Sequence, residues 1–147
     1  MRLDRAWIAS HVPHHGSMCL LDEVLEWDTH YIRCGSGTHR NAGNPLRAHG
    51  RLGAACGIEY AAQAMAAHGA LVHGRPRSGY IASVRGVSLL VSRLDDLTAD
   101  LVVTANLVHS DAATALYDFS LFSAERLILK GRATIVFIGS PDTATHD

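Results

Sequence analysis

Apolar and polar positions in this chain change rhythm several times, and the changes divide it into elements. Asp4 to Ser10 has the spacing of a short turn of helix. Val12-Pro13-His14-His15-Gly16-Ser17 is punctuated by Pro and Gly and reads as a loop. Between Met18 and Trp27 the second part of the run alternates as a strand does, and Tyr31 to Thr38 predicts a second strand across a turn at Asp28-Thr29-His30. His39 to Gly50 collects the turn residues Asn41, Gly43, Asn44 and Pro45 and predicts a loop.

Arg51 to about Val72 is different. It is rich in Ala, contains no Pro and carries apolar residues all round, the profile of a helix buried on most sides. Gly69 and the Gly74-Arg75-Pro76-Arg77 stretch are expected to end it. Beyond it the period shortens to that of strands over Gly79–Leu90, Thr98–His109, Thr114–Ser123 and Arg126–Ile138. Two strands, one long helix and about four strands predict an α+β domain in which a curved antiparallel sheet wraps one central helix. A single sheet cannot hide every face of an apolar helix, so a second chain is the expected cover and the domain is expected to be dimeric. No repeat or linker interrupts the pattern. A single domain over residues 1–139 and a disordered tail over residues 140–147 follow.

Composition narrows the function classes. The chain has 147 residues, 48% of them hydrophobic and 18% charged, with a net charge of −1. That is enough chain for one cored domain, and the balance argues against a nucleic-acid partner. Three Cys without CxxC or zinc spacing suit reduced thiols in the cytoplasm. No apolar run is long enough to cross a bilayer.

Glu59 is the first candidate for chemistry. Within the helical run only Arg51 and Glu59 are charged by Asp, Glu, Lys or Arg. An ionised carboxylate in an apolar helix needs a partner or a task. Desolvated, it would serve as a general acid or base near neutral pH, although a structural carboxylate paired with an Arg would look the same. Gln63 lies one turn on, where its amide could orient that carboxyl. Among ten His, His49 precedes the helix and is the one best placed to meet the carboxylate of a partner subunit. His14 and His15 could line an opening. No metal-ligand spacing supports a metal site.

These residues resemble a family. Pro13-His14 running into Leu20-Leu21-Asp22-Glu23-Val24 looks like the N-terminal signature of the β-hydroxyacyl-ACP dehydratases, and Glu59-Tyr60-Ala61-Ala62-Gln63-Ala64 resembles their central-helix motif, Glu-x-x-x-Gln-Ala. Asn44-Pro45-Leu46-Arg47 through Gly57-Ile58-Glu59 resembles in particular a divergent branch, the predicted 3-hydroxyacyl-ACP dehydratases found with aryl polyene and xanthomonadin-type pigment synthesis. The resemblance implies a hot-dog fold and dehydration of a 3-hydroxyacyl thioester to a trans-2-enoyl thioester. It implies no metal or redox cofactor, the substrate being carried on the phosphopantetheine of acyl carrier protein. It places Glu59 as the acid that protonates the departing hydroxyl, a loop His as the base at C2, and a backbone N–H near Gly53 or Ala54 as the group that polarises the thioester carbonyl. Gln63 and His14 would join these at the substrate.

The family's Gly-His-Phe-Pro-Gly loop is absent. The position of its His falls near Pro45, and Gly53-Ala54 stands where Pro-Gly would begin the helix. Three readings follow. The chain is a dehydratase with His49, or else His14, as base. Alternatively it is a weakly active or inactive partner subunit of a hot-dog dehydratase that carries the full loop. The third reading is a hot-dog thioesterase in which Glu59 activates water. All three expect a homodimer or heterodimer, joined at an edge strand near Tyr80 to Val84.

Overall fold

A computed structural model describes residues 2–12 and 18–138. A short strand β1 (Leu3–Asp4) leads into helix α1 (Arg5–His11), whose first turn is capped by the Asp4 carboxylate accepting from the Trp7 N–H. Strands β2 (Glu23–Asp28) and β3 (Tyr31–Ser36) form a hairpin. Short 3₁₀ turns at Thr38–Arg40 and Ala54–Cys56 precede the long helix α2 (Gly57–His73), and strands β4 (Gly79–Leu89), β5 (Leu101–Ser110), β6 (Thr114–Ser123) and β7 (Arg126–Phe137) complete the chain.

All strands join one antiparallel sheet of seven, in the order β1-β2-β3-β5-β6-β7-β4. Because β4 pairs with β7 rather than with β3, the chain must cross from the middle of the sheet to its far edge, and α2 makes that crossing. Bulges in β2, β4 and β5 let the strands bend around it. Thus one helix lies against one antiparallel sheet, as the pattern of apolar positions predicts, and β4 stands at the sheet's open edge.

Alternation does the burying. Ala115, Tyr117, Phe119, Leu121 and Ser123 of β6 point to the core, while the residues between them are half-exposed. From α2, Tyr60, Ala61, Ala64, Ala67 and His68 meet the sheet over β3, β5 and β6. Gly57 permits the closest approach: a Cβ there would stand 3.0 Å from Leu121 and 3.1 Å from Leu129.

Two helix boundaries differ from the expectation. Regular α-helix starts at Gly57 and not at Arg51, because Leu52 is drawn into pairing with the β4–β5 connection. Its N–H donates to the Asp95 carboxylate at 2.8 Å and its carbonyl accepts from the Leu94 N–H at 2.7 Å. At the other end the helix runs through Gly69. It stops at Gly74, whose left-handed φ of 74° is a conformation that glycine adopts without strain. The helix is also not buried all round, since Ala62, Ala66 and Gly69 face away from the tightly packed centre. The expected tail beyond residue 139 lies outside the described residues.

Candidate active site

Where α2 crosses the β7–β4 edge it stands off from the sheet and leaves a cavity of about 260 Å³. Glu59, in the first turn of α2, lines one end, and Ala62, Ala66 and Gly69 continue the same helix face. Ile81 of β4 and Ile135 of β7, paired in the sheet, make the facing wall with Phe137. Glu59 is half-buried, in the first turn of α2. The cavity is therefore an apolar trough with a carboxylate at one end, a shape suited to a hydrophobic group whose reacting end meets an acid or base.

Tyr117 lines the trough from β6. Its hydroxyl lies 2.7 Å from Nδ1 of the fully buried His68, whose Nε2 lies 2.8 Å from the Asp28 carbonyl. Burial pushes the His68 pKa down, so the ring is neutral. Its Nε2–H then donates to Asp28 and its Nδ1 accepts from Tyr117. Burial also raises the Tyr117 pKa, keeping the phenol protonated as that donor. Arg77 closes the trough beyond the last turn of α2. Its guanidinium lies 3.7 Å over the Phe137 ring and donates to the Ala112 carbonyl at 3.1 Å. The sequence singles out neither His68 nor Arg77 for this role. One is hidden among ten His, and the other stands in the Gly74-Arg75-Pro76-Arg77 stretch that reads as a helix end.

The remaining candidates fall in different places. Gln63 is buried, but its amide holds the chain entering β2: Oε1 accepts from the Leu20 N–H at 2.8 Å and Nε2 donates to the Met18 carbonyl at 2.7 Å. That replaces the expected role of orienting the Glu59 carboxyl. His49 occupies the tip of a two-residue turn between Ala48 and Arg51, exposed, with φ of 54° followed by 74° at Gly50. It does not line the cavity with Glu59. Ala54 also departs from the expectation, because its N–H is already donated to the Ser92 carbonyl at 3.1 Å. Gly53 is exposed beside it, bridged to Arg93. His14 and His15 lie outside the described residues.

A buried polar chain supports the site from behind. Asn44 donates to the Tyr60 hydroxyl at 3.0 Å, that hydroxyl lies 2.8 Å from Thr38 Oγ1, and Thr38 in turn donates to the Leu20 carbonyl at 2.7 Å. Leu20 and Leu21 are themselves buried, and Asp22 accepts from the Gly37 N–H at 2.7 Å and pairs with Arg5. The Leu-Leu-Asp run and the residue after Glu59 thus lock the segment before β2, the loop before α2 and α2 itself into one unit. Among the described residues no cluster of His, Cys, Asp and Glu is arranged to hold a metal ion, and no helix is long and apolar enough to cross a membrane.

Comparison with known proteins agrees with the fold. A chain of the dehydratase heterocomplex ApeI:P from Xenorhabdus doucetiae superposes with a TM-score of 0.79 at 18% identity, covering 93% of each chain. A mutant thioesterase from Pseudomonas aeruginosa gives a TM-score of 0.65 at 12% identity over 92% of this chain and 94% of that one. A hypothetical thioesterase from Streptococcus pneumoniae, solved with coenzyme A, gives 0.57 at 15% identity over 80% and 85%. These likenesses establish the hot-dog fold. No curated protein sequence matches the chain significantly. The family model described as ApeP-like, ApeP dehydratase, matches residues 6–145. The chain belongs to the ApeP-like dehydratase family.

Proposed function

We propose that this chain works as a 3-hydroxyacyl-ACP dehydratase, in fatty-acid-like or aryl polyene synthesis, as one half of a hot-dog dimer. The observation that carries the reading is Glu59 at the end of an apolar trough on the central helix of an ApeP-like chain. In the reaction a base removes the C2 proton of the thioester, the C2=C3 double bond forms, and the C3–O bond breaks as the Glu59 carboxyl protonates the departing hydroxyl. Water leaves and the enoyl group stays on its thioester. The charge that develops on the thioester oxygen needs a donor. With the Ala54 N–H committed to Ser92, that donor falls to Gly53 or to Ala55, the next residue of the 3₁₀ turn.

The base is the part that one chain leaves open. Exposed at its loop tip, His49 acts only if the site is completed across a subunit boundary. His14 stands four residues before Met18, whose carbonyl Gln63 holds on α2, one turn from Glu59. The partner chain is either a second copy or another hot-dog protein. The open edge of β4, with Tyr80 and Leu89 exposed, is the surface it would extend. The Xenorhabdus doucetiae neighbour is a chain of a dehydratase heterocomplex, which favours a heterodimer and with it the second reading, in which this chain completes a partner that does most of the chemistry. The thioesterase neighbours share the fold and leave the hydrolytic alternative as one outcome of the test.

Mass spectrometry of a 3-hydroxyacyl-ACP, after incubation with the purified protein, decides. Loss of one water, abolished in Glu59→Gln, is expected. Parallel His49→Ala and His14→Ala variants identify the base. Activity only after adding a hot-dog dehydratase with the full loop supports the partner-subunit reading. Free carrier thiol overturns dehydration in favour of a thioesterase.

A further inference from the structure

The trough has an order along it. Glu59, Ala62, Ala66 and Gly69 follow one another on α2 over ten residues, roughly 15 Å of helix axis. Glu59 marks the end where the thioester reacts. At the other end Arg77 is fixed from three sides: over the Phe137 ring at 3.7 Å, to the Ala112 carbonyl at 3.1 Å, and beside His73 Nε2 at 3.1 Å on the last turn of α2. Between the two ends the helix presents the small side chains of Ala62, Ala66 and Gly69, with Met65 beside them. A Cβ placed on Gly69 would meet nothing within 4 Å, so the floor there is open space. The facing wall of Ile81 and Ile135 is apolar throughout. About 260 Å³ exceeds the roughly 150 Å³ apolar cavity that takes up benzene, so an acyl tail fits where a polar ligand has little to bond.

We infer that the Arg77–Phe137 stack is the end stop that sets the longest acyl chain this site accepts, and that Ala66 keeps the trough open up to it. This rests on the reading of Glu59 as the reacting end. The stem and flat face of Arg77 lie against an aromatic ring, so an Arg can close an apolar trough without burying its charge. Removing its guanidinium opens the far end onto the β5–β6 turn, and filling position 66 blocks the trough midway. The two changes move the length limit in opposite directions.

The test measures kcat/KM and, by calorimetry, affinity for 3-hydroxyacyl thioesters of N-acetylcysteamine from butanoyl to dodecanoyl. The wild type, Ala66→Leu, Arg77→Ala and a neighbouring exposed control, Arg75→Ala, are compared in the presence of the partner if one is required. Ala66→Leu is expected to lower the long-to-short preference about tenfold or more, the scale of a lost methylene fit. Arg77→Ala is expected to raise it by a similar factor, with Arg75→Ala leaving it unchanged. A preference that moves in neither variant, in protein with unchanged thermal melting, overturns the inference. So does the absence of binding at every chain length. Binding that keeps the length limit while no thioester loses water sinks the dehydratase reading and leaves the end stop standing.

Discussion

The two faces of α2 are built on opposite principles. Toward β3, β5 and β6, Tyr60, Ala61, Ala64, Ala67 and His68 are shut away from solvent, and the buried polar atoms of Tyr60, Gln63 and His68 have partners. Toward β7 and β4, three or four residues round the same helix, small side chains leave a gap and a carboxylate sits in it. A close-packed interior has no room for a substrate. The chain makes room by packing one face densely enough to hold the helix while leaving the other unfilled.

Breaking the open face without touching the packed one is expected to have the largest effect. Glu59→Gln keeps the volume and removes the proposed acid. Turnover by the assembled enzyme is expected to fall about 10²–10⁴-fold, the usual worth of a positioned acid, with thermal melting nearly unchanged. A melting temperature that collapses with the activity would mean that Glu59 is chiefly structural.

The packed face should respond in stability first. Gln63→Leu strips partners from the Leu20 N–H and the Met18 carbonyl, at about 1–3 kcal/mol for each group left unsatisfied. The segment entering β2 is expected to become more susceptible to proteolysis. Tyr60→Phe removes one hydroxyl from the chain linking Asn44 and Thr38, at about 1–3 kcal/mol in urea unfolding. Equal stability in either variant would show that these bonds are made to water as readily as to the protein.

This contrast also explains what the sequence could reveal. The strands were legible because alternation is local: Thr114–Ser123 predicts β6 to the residue, and Gly79–Leu90 predicts β4 to within one. Glu59 stood out as a charge in an apolar helix. The start of α2 was not legible, because what unwinds Arg51–Gly53 is a carboxylate more than forty residues away, at Asp95. The engagement of the Ala54 N–H by Ser92 is hidden in the same way. The gap itself was illegible, since Ala62, Ala66 and Gly69 have the composition of close packing. Only the placement of β4 beyond β7 turns them into the wall of a trough. Nor could spacing show that Gln63 faces the incoming chain at Met18 and Leu20.

The Asp95 clasp allows a pH test of the Leu52 segment that precedes α2. Its carboxylate is bonded by the Arg93 guanidinium and the Leu52 N–H, and these hold its pKa well below the usual carboxylate range. A depressed carboxylate stabilises the fold above its unfolded pKa, and that contribution is lost as pH falls through the folded value. Asp95→Asn is therefore expected to lower the urea midpoint by a constant amount from pH 7 to about 5, and by less below about 4. A gap that widens in acid would contradict the clasp.

The smallest expected effect lies at the seam between the faces, where the packed His68 holds the cavity-lining Tyr117. Burial lowers the His68 pKa below its ordinary value of 6.5, so the unfolded chain binds a proton more readily than the folded one. Stability tracks the excess of protons bound by the unfolded state, so it rises with pH across that interval and is lost as pH drops from about 6.5 downward. His68→Gln retains a polar side chain but cannot titrate. Its stability is expected to fall less than the wild type's between pH 7 and pH 5. The slope should shrink but not vanish, because His39 is also fully buried and its pKa is pushed down for the same reason. Tyr117→Phe separates the two roles of the seam. It leaves His68 able to titrate, so the acid slope should persist, while the ring that lines the trough loses the bond that fixes it. An acid slope that is the same in His68→Gln and the wild type would mean that His68 takes up a proton as readily in the folded chain as in the unfolded one. Tyr117 would then lose its acceptor at Nδ1 in acid, contrary to the arrangement that joins the dry face to the open one.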